Sequence, residues 1–215
     1  MENNNQEIKE KKRRGMTVPN MLTMIRIAAV PAMIIIACIP YLNNHMAFKS
    51  VPIANIINVI IFALASFTDF LDGKIARKYN LVTTFGKFAD PLADKMIVLT
   101  SFLILMDQAV RVDAWKDMTL RVVPVWGVAI ILLRELMVSG IRLVAAERGE
   151  VIAAGWSGKV KTFVTMIAII VMFFAGISEA VAYTCLVLMY VSVILTVYSG
   201  LVYLINARRI IFESI

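Results

Sequence analysis

Six long apolar runs, separated by short polar connections, dominate the pattern of this sequence. They cover residues 21–41, 52–79, 84–108, 121–147, 155–177 and 182–207. Each run holds enough apolar residues to cross a hydrocarbon layer of about 30 Å as an α-helix. Asn80 is a stop signal for the second helix, and Thr83 or Thr84 is a start signal for the third. The pattern predicts an all-α polytopic membrane protein with six transmembrane helices.

The composition agrees with a membrane protein. Of the 215 residues, 60% are apolar and 17% are charged, and the mean hydropathy is +0.80. An ordinary soluble domain is about half apolar and about a quarter charged. Cys38 and Cys185 both lie in apolar runs and form neither a disulfide framework nor a metal-ligand spacing. The net charge of +7 is typical of a protein that touches anionic lipid or phosphate.

Polar and basic residues predict the domain organisation and the orientation. Residues 1–15, MENNNQEIKEKKRRG, lack the apolar core of a signal peptide, so we expect a cytoplasmic tail followed by one transmembrane domain over 16–215. Cytoplasmic connections of membrane proteins are enriched in lysine and arginine. The basic residues assigned to the cytoplasmic side are Lys9, Lys11, Lys12, Arg13, Arg14, Lys74, Arg77, Lys78, Lys87, Arg148, Lys159, Lys161, Arg208 and Arg209. Only Lys49, Arg111, Lys116 and Arg121 fall near the other side, so both termini are predicted to be cytoplasmic.

Four aspartates lie close together near the connection between the second and third predicted helices. Asp69 and Asp72 share one helical face, and Asp90 and Asp94 share another, because residues three or four apart align on a helix. The short connection makes the two helices antiparallel neighbours, so the two acidic faces can converge. Gly73, Ala76 and Gly86 lie on the same faces and leave room for a ligand, although small residues are also common in ordinary helix packing.

The cost of placing acids in a membrane favours a metal site. One acid at the centre of a membrane helix costs roughly 2.5–3.5 kcal/mol. Carboxylates bind hard divalent cations such as Mg²⁺, Mn²⁺ or Ca²⁺. Four of them can hold two ions about 3.5–4 Å apart, an arrangement used in phosphoryl transfer. The alternative for any single aspartate is solvation at the membrane edge.

The spacing of these residues also carries a resemblance. Asp69-x2-Asp72-Gly73-x2-Ala76-Arg77-x8-Gly86-x3-Asp90-x3-Asp94 resembles, without departure, the signature of the CDP-alcohol phosphatidyltransferases. The resemblance implies the six-helix fold of that family, a homodimer and an active site open to the cytoplasm. It also implies transfer of a phosphatidyl group from CDP-diacylglycerol to an alcohol, with release of CMP.

The resemblance implies roles for individual residues. Two divalent cations, Mg²⁺ or Mn²⁺, are expected on Asp69, Asp72, Asp90 and Asp94. Asp94 is the implied general base, and Asp90 is the second implied catalytic residue. The CDP-binding residues implied by the signature, with Asn20 added as a candidate, are Asp72, Gly73, Ala76, Arg77, Gly86 and Asn20. Asn20 has an alternative interpretation as a cap of the first helix.

Two further stretches indicate the acceptor alcohol. VPNMLTMIRIAAVP at 18–31 and LRELMVSGIRLVAAERGEVIAAGWSGKVKT at 133–162 resemble family members whose acceptor is sn-glycerol 3-phosphate. Arginine and lysine suit its phosphate. The expected phosphate clamp is Arg134, Arg142 and Lys159, with Arg26, Thr23 and Lys161 as supporting candidates. Alternatively, these basic side chains extend to the lipid headgroups or pair with Glu135 or Glu147.

Two other functions fit parts of the pattern. Another enzyme of the same family would use inositol phosphate, serine or phosphatidylglycerol as acceptor. A cation transporter would use the acids as an ion site, but the uninterrupted signature and the lack of internal repeats argue against it. The tail includes Glu2, Glu7 and Glu10, which argues against a mitochondrial presequence and favours a bacterial plasma membrane.

Overall fold

The computed structural model describes residues 18–79, 84–111, 123–147 and 155–212, so the predicted tail lies outside the described residues. Its long helices are α1 (Val18–Cys38), α3 (Ile53–Tyr79), α4 (Thr84–Arg111), α5 (Val125–Glu147), α6 (Trp156–Met172) and α7 (Glu179–Phe212). Its shorter elements are helix α2 (Pro40–Asn44), strands β1 (Met46–Phe48) and β2 (Val51–Pro52), and a 3₁₀ turn (Ala175–Ile177). The all-α class is confirmed, and each of the six predicted runs overlaps one long helix.

The first helix differs from its prediction at both ends. It includes residues 18–20, so Asn20 lies inside α1 rather than at its cap. It ends at Cys38 rather than at 41, and Ile39 is extended, with φ −79° and ψ 111°. Pro40 explains this break, because proline lacks an N–H and disfavours the helical conformation of the preceding residue. The chain then restarts as α2.

A small pair of antiparallel strands follows α2 and was not predicted. Met46 lies opposite Pro52, and Phe48 lies opposite Val51. Lys49, in the turn between the strands, has a φ of 48°, which non-glycine residues rarely adopt. Strands of two and three residues are too short for an alternating pattern to stand out in a sequence. This hairpin is therefore an addition to the predicted all-α fold.

Three stretches are long and apolar enough to cross a membrane by length and composition. They are Asn20–Cys38, Trp156–Ile177 and Glu179–Arg208. Helix α3 contributes a shorter apolar segment, Ile53–Asp69. The charged residues of the predicted sites are concentrated in the remaining helical segments, in α4, α5 and the second half of α3.

One hydrophobic cluster joins the helices. Its buried side chains come from all six long helices and include Met33, Phe62, Leu105, Ile131 and Met189. Large apolar residues also cover the outer surface, among them Leu64, Leu133 and Ile194. Lipid tails are as apolar as these side chains, so the helices are held together mainly by close packing and by polar contacts.

Buried amide side chains tie together the end of the bundle where α1 finishes and α3 starts. We call Asn43, Asn55, Asn58 and Gln108 the amide cluster. Gln108 Nε2 donates to Asn43 Oδ1 at 3.1 Å, and Asn43 Nδ2 donates to the carbonyl of Ala37 at 2.6 Å. Asn55 Nδ2 donates to the carbonyl of Phe173 at 3.1 Å. These bonds join α2, α3 and α4 to the ends of α1 and α6.

Candidate active site

Helices α1, α3 and α4 bring acidic residues together at the opposite end of the bundle. Asp69 lies on α3, Asp90 and Asp94 lie one turn apart on α4, and Thr23 and Arg26 reach them from α1. Arg26 Nη1 lies 2.9 Å from Asp69 Oδ1 and 3.3 Å from Asp94 Oδ1. The Thr23 hydroxyl donates to Asp90 Oδ1. We call these five residues the acid cluster.

The acid cluster has a buried base and a more open rim. The Arg26 side chain is 1% exposed, whereas those of Asp69 and Asp94 are 33% and 34% exposed. The guanidinium therefore binds the two carboxylates from the protein interior, while the carboxylates themselves stay accessible. Both carboxylates contact the same nitrogen, so the predicted convergence of the α3 and α4 acidic faces is present at Asp69 and Asp94.

The donor set of the acid cluster suits a divalent cation. It contains three carboxylates and one guanidinium, which leaves an excess of negative charge among the described side chains. Carboxylate oxygens are the ligands that Mg²⁺ and Mn²⁺ prefer, and the cluster already accommodates a positive group at Arg26. Within the described residues, no three His, Cys, Asp or Glu side chains are arranged to enclose an ion. The fourth predicted ligand, Asp72, has its side chain outside the described residues.

The predicted CDP-binding residues are only partly described. Gly86 is buried on α4 one turn before Asp90, and Asn20 is half-buried in the first turn of α1. Gly73, Ala76 and Arg77 lie on α3 close after Asp69 along the chain, but their contacts are outside the described part of the structure. The described part of this set therefore lies on α1 and α4, two of the three helices that carry the acid cluster.

A second group of charged residues joins α4, α5 and α6. Glu135 pairs with Lys161, and its Oε1 lies 3.2 Å from Arg134 Nη1. The Ser139 hydroxyl donates to the backbone carbonyl of Glu135 at 2.6 Å and accepts a hydrogen bond from Lys95 Nζ. We call Lys95, Arg134, Glu135, Ser139 and Lys161 the basic cluster. It adjoins the acid cluster, because Asp94 and Lys95 are consecutive residues of α4.

The structure distributes the predicted phosphate ligands over several places. Arg134 and Lys161 meet at Glu135, which is the pairing that the sequence left open as an alternative. Arg142 lies with its guanidinium carbon 5.6 Å from the centre of the Tyr203 ring, within reach of a cation–π contact. Lys159 is exposed on α6. The remaining two candidates, Arg26 and Thr23, belong to the acid cluster.

Lys95 and Ser139 were missed by the sequence reasoning. Lys95 follows Asp94 directly, and consecutive residues point about 100° apart around a helix. Because Asp94 faces α1, Lys95 can face α5, where it meets Ser139. A lysine inside an apolar helix requires a polar partner, and that requirement could have identified Lys95 from the sequence.

A separate cavity between α5 and α7 does not suit a polar substrate. Its volume is about 230 Å³, and its lining residues are Leu133, Arg134, Met137, Val197, Gly200, Leu201 and Leu204. Arg134 is the only charged residue of this lining. The polar groups that could perform chemistry are in the acid and basic clusters instead.

Comparison with known proteins identifies the family. Residues 16–198 match the family described as CDP-alcohol phosphatidyltransferase, which covers most of the chain. The chain belongs to the CDP-alcohol phosphatidyltransferase family. Within this family it is 43% identical over 154 residues to the CDP-diacylglycerol–glycerol-3-phosphate 3-phosphatidyltransferase of Bacillus subtilis, covering 71% of this chain and 74% of that protein.

A second relative covers more of the chain. The protein of the same name from Rickettsia bellii is 35% identical over 189 residues, which covers 86% of this chain and 92% of the relative. The family match includes all four aspartates and all five residues of the basic cluster. This member of the CDP-alcohol phosphatidyltransferases is an integral membrane protein with apolar helical spans.

Proposed function

We propose that this protein transfers the phosphatidyl group of CDP-diacylglycerol to sn-glycerol 3-phosphate, forming phosphatidylglycerophosphate and CMP in phospholipid biosynthesis. The observation that carries this proposal is the direct junction of two opposite charge clusters at Asp94 and Lys95. A reaction between a nucleotide diphosphate donor and a phosphorylated alcohol needs one site for each phosphate group. The names of the relatives support the same donor and acceptor.

The acid cluster serves the donor. Asp69, Asp72, Asp90 and Asp94 would hold two divalent cations, Mg²⁺ or Mn²⁺, which when bound neutralise negative charge on the diphosphate. Arg26 fixes the carboxylates of Asp69 and Asp94. The Thr23 hydroxyl donates a hydrogen bond to Asp90 and orients that carboxylate. Gly73, Ala76, Arg77, Gly86 and Asn20 are the proposed surroundings of the cytidine and the diphosphate.

Asp94 accepts the proton in the transfer step. The hydroxyl oxygen of glycerol 3-phosphate attacks the β-phosphorus of the donor and loses its proton to the Asp94 carboxylate. The bond from that phosphorus to the bridging oxygen breaks, and CMP leaves with the electron pair. Asp94 is 34% exposed, so an acceptor can reach it. A base must come within hydrogen-bond reach of the proton it removes, and the open rim of the acid cluster permits this.

The basic residues serve the acceptor phosphate. Arg142 and Lys159 are proposed as direct ligands, because among the described residues neither forms an ion pair with a carboxylate. Arg134 and Lys161 add positive charge although each also contacts Glu135. A phosphate group carries nearly two negative charges at neutral pH, and arginine and lysine bind it through charge-assisted hydrogen bonds.

The membrane arrangement is part of the same proposal. Residues 16–215 would form one domain with six transmembrane helices, and residues 1–15 would be a cytoplasmic tail. The active site would open to the cytoplasm. Glycerol 3-phosphate is dissolved there, and the charged head group of the CTP-derived donor is in contact with water. We expect a homodimer in a bacterial plasma membrane.

Release of CMP by the detergent-purified protein tests this proposal. The protein receives CDP-diacylglycerol and Mg²⁺ or Mn²⁺, with glycerol 3-phosphate, inositol phosphate, serine or phosphatidylglycerol in separate reactions. We expect release with glycerol 3-phosphate alone and its loss when a chelator is added. Release with a different alcohol would overturn the acceptor assignment, and no release from folded protein would overturn the transferase assignment.

A further inference from the structure

Lys95 is a half-buried cation on α4, a helix that the proposed membrane arrangement places in the bilayer. Its ammonium donates to the Ser139 hydroxyl, which is already engaged with the Glu135 carbonyl. Among the described residues, no carboxylate lies in ion-pair contact with Lys95, and Glu135 is paired with Lys161 and Arg134 instead. A lysine in a membrane segment is costly unless it has a charged partner or water. A neutral hydroxyl positions the ammonium but does not balance its charge.

The surroundings of Lys95 carry a surplus of positive charge. Lys95 lies close enough to Arg134, Arg142 and Glu135 to interact with each electrostatically. Lys161 contacts the same glutamate. Four cations therefore share one carboxylate in this region, apart from Asp94 on the neighbouring face of α4. Such an excess attracts an anion with more than one charge, and a phosphate monoester has nearly two.

We propose that Lys95 binds the phosphate of the acceptor alcohol, and that Ser139 is the positioning residue that holds Lys95 for it. This inference rests on the proposed function and adds two residues to the acceptor site. In glycerol 3-phosphate the attacking hydroxyl and the phosphate are at opposite ends of a three-carbon chain. Consecutive Cα atoms are about 3.8 Å apart, so Asp94 and Lys95 can engage the two ends of one small acceptor.

The order of the two residues gives them complementary tasks. Asp94 points towards α1 and takes the proton, while Lys95 points towards α5 and holds the phosphate. Both belong to one rigid helix, which fixes the distance between the base and the phosphate ligand. An acceptor with a phosphate at a different distance from its hydroxyl would be held less well.

Steady-state kinetics of Lys95→Met test the proposal. Methionine keeps an unbranched side chain but removes the charge. We expect the KM for glycerol 3-phosphate to rise about 30-fold or more and the KM for CDP-diacylglycerol to change less than about twofold. Inorganic phosphate, used as a competitor of glycerol 3-phosphate, should inhibit Lys95→Met more weakly than the unmodified protein. Lys95→Arg should restore part of the acceptor affinity.

Ser139→Ala provides a second test that keeps the lysine. It should raise the KM for glycerol 3-phosphate about threefold to tenfold. In the Lys95→Met background it should not raise this KM further, because Ser139 acts through Lys95. Ser101→Ala is a matched control, because the Ser101 hydroxyl likewise donates to the carbonyl one turn earlier, at Ile97, but contacts no lysine among the described residues. We expect Ser101→Ala to leave both KM values unchanged.

The outcomes separate this inference from the proposed function. Turnover of the unmodified protein with an alcohol other than glycerol 3-phosphate would refute the proposed function before any variant is made. With glycerol 3-phosphate turnover established, a rise in the KM for CDP-diacylglycerol alone, or an equal rise in both, would overturn the assignment of Lys95. If Lys95→Met does not fold, the KM values for the two substrates are compared in Ser139→Ala instead. An unchanged KM for glycerol 3-phosphate in that variant would overturn the proposal.

Discussion

The two ends of the helix bundle both bury polar side chains but differ in charge. The amide cluster consists of neutral groups that mostly bond to one another and to backbone carbonyls. Asn58 has no hydrogen-bond partner among the described residues, yet an unpaired neutral amide costs only about 1–3 kcal/mol. The acid and basic clusters at the other end contain charges that do not balance within either cluster. Buried unbalanced charge costs far more than a neutral amide.

This difference distinguishes a structural region from a functional one. The amide cluster closes the loop between α1 and α3 and requires no ligand to balance its charge. The acid cluster has an excess of carboxylates, and the basic cluster has an excess of cations. Each excess is the charge that one of the two proposed substrates, with its metal ions, would neutralise. Substitutions at the two ends should therefore change different properties of the protein.

The largest effect is expected at the acid cluster. Asp94→Asn or Asp90→Asn removes a carboxylate that the proposed mechanism requires, so kcat should fall about 10³-fold or more. Thermal stability in detergent should stay the same or rise, because a neutral amide costs less than an acid in a membrane helix. Asp107→Asn is the control, since Asp107 lies on the same helix near the amide cluster. Normal kcat in Asp94→Asn would contradict the assignment of the base.

The next effect concerns the acceptor site. Arg142→Ala should raise the KM for glycerol 3-phosphate roughly 10- to 100-fold, as expected for loss of a hydrogen bond to a charged group, with little change in the KM for CDP-diacylglycerol. Tyr203→Phe is the control, because it keeps the ring under the guanidinium, and the Tyr203 hydroxyl has no hydrogen-bond partner among the described residues. Equal effects of Arg142→Ala on both substrates would exclude Arg142 from the acceptor site.

A stability effect without a catalytic effect is expected at the amide cluster. Asn43→Ala removes the bonds to Gln108 and Ala37 and leaves Gln108 without its Asn43 partner. We expect a loss of about 1–3 kcal/mol in the free energy of unfolding. The kcat of the folded fraction should be unchanged. Asn44→Ala, at the exposed neighbouring position, should change neither the free energy of unfolding nor kcat. A reduced kcat in folded Asn43→Ala would mean that this end also serves the reaction.

The smallest effect concerns the packing of Arg134 against α7. A methyl group on Gly200 would lie 3.1 Å from Arg134 Cγ, whereas one on Gly140 would meet nothing within 4 Å. Alanine is otherwise favoured over glycine in a helix by roughly 0.5–1 kcal/mol. Gly140→Ala should therefore stabilise the protein slightly, and Gly200→Ala should displace Arg134 and raise the acceptor KM a few-fold. Identical behaviour of the two variants would show that Arg134 has room to move.

The sequence predicted much of the fold because long apolar runs report helices directly. It placed α3 and α4 almost at their observed bounds, and the signature led to the acid cluster. The break at Ile39 was missed because the apolar run continues through Pro40. The hairpin at 46–52 was missed because its strands are very short.

The contacts of the basic residues could not be predicted from spacing. Arg134 and Arg142 are eight residues apart on α5, yet one contacts Glu135 and the other lies over Tyr203. Long flexible side chains choose partners from neighbouring helices, and sequence spacing on one helix does not report those neighbours. Arg26 is the clearest example, because its partners Asp69 and Asp94 are brought together only by the packing of α1 on α3 and α4.

Paramagnetic broadening of the ³¹P signal of glycerol 3-phosphate tests whether a metal site and an acceptor-phosphate site adjoin in this protein. Mn²⁺ replaces Mg²⁺ in the purified protein, and the acceptor signal is compared with that in protein-free solution at the same Mn²⁺ concentration. We expect added broadening in the unmodified protein and its loss in both Asp90→Asn and Lys95→Met, since each removes one of the two adjoining sites. Broadening that survives both substitutions, or none in the unmodified protein, would contradict the junction of a metal site and an acceptor-phosphate site at Asp94 and Lys95.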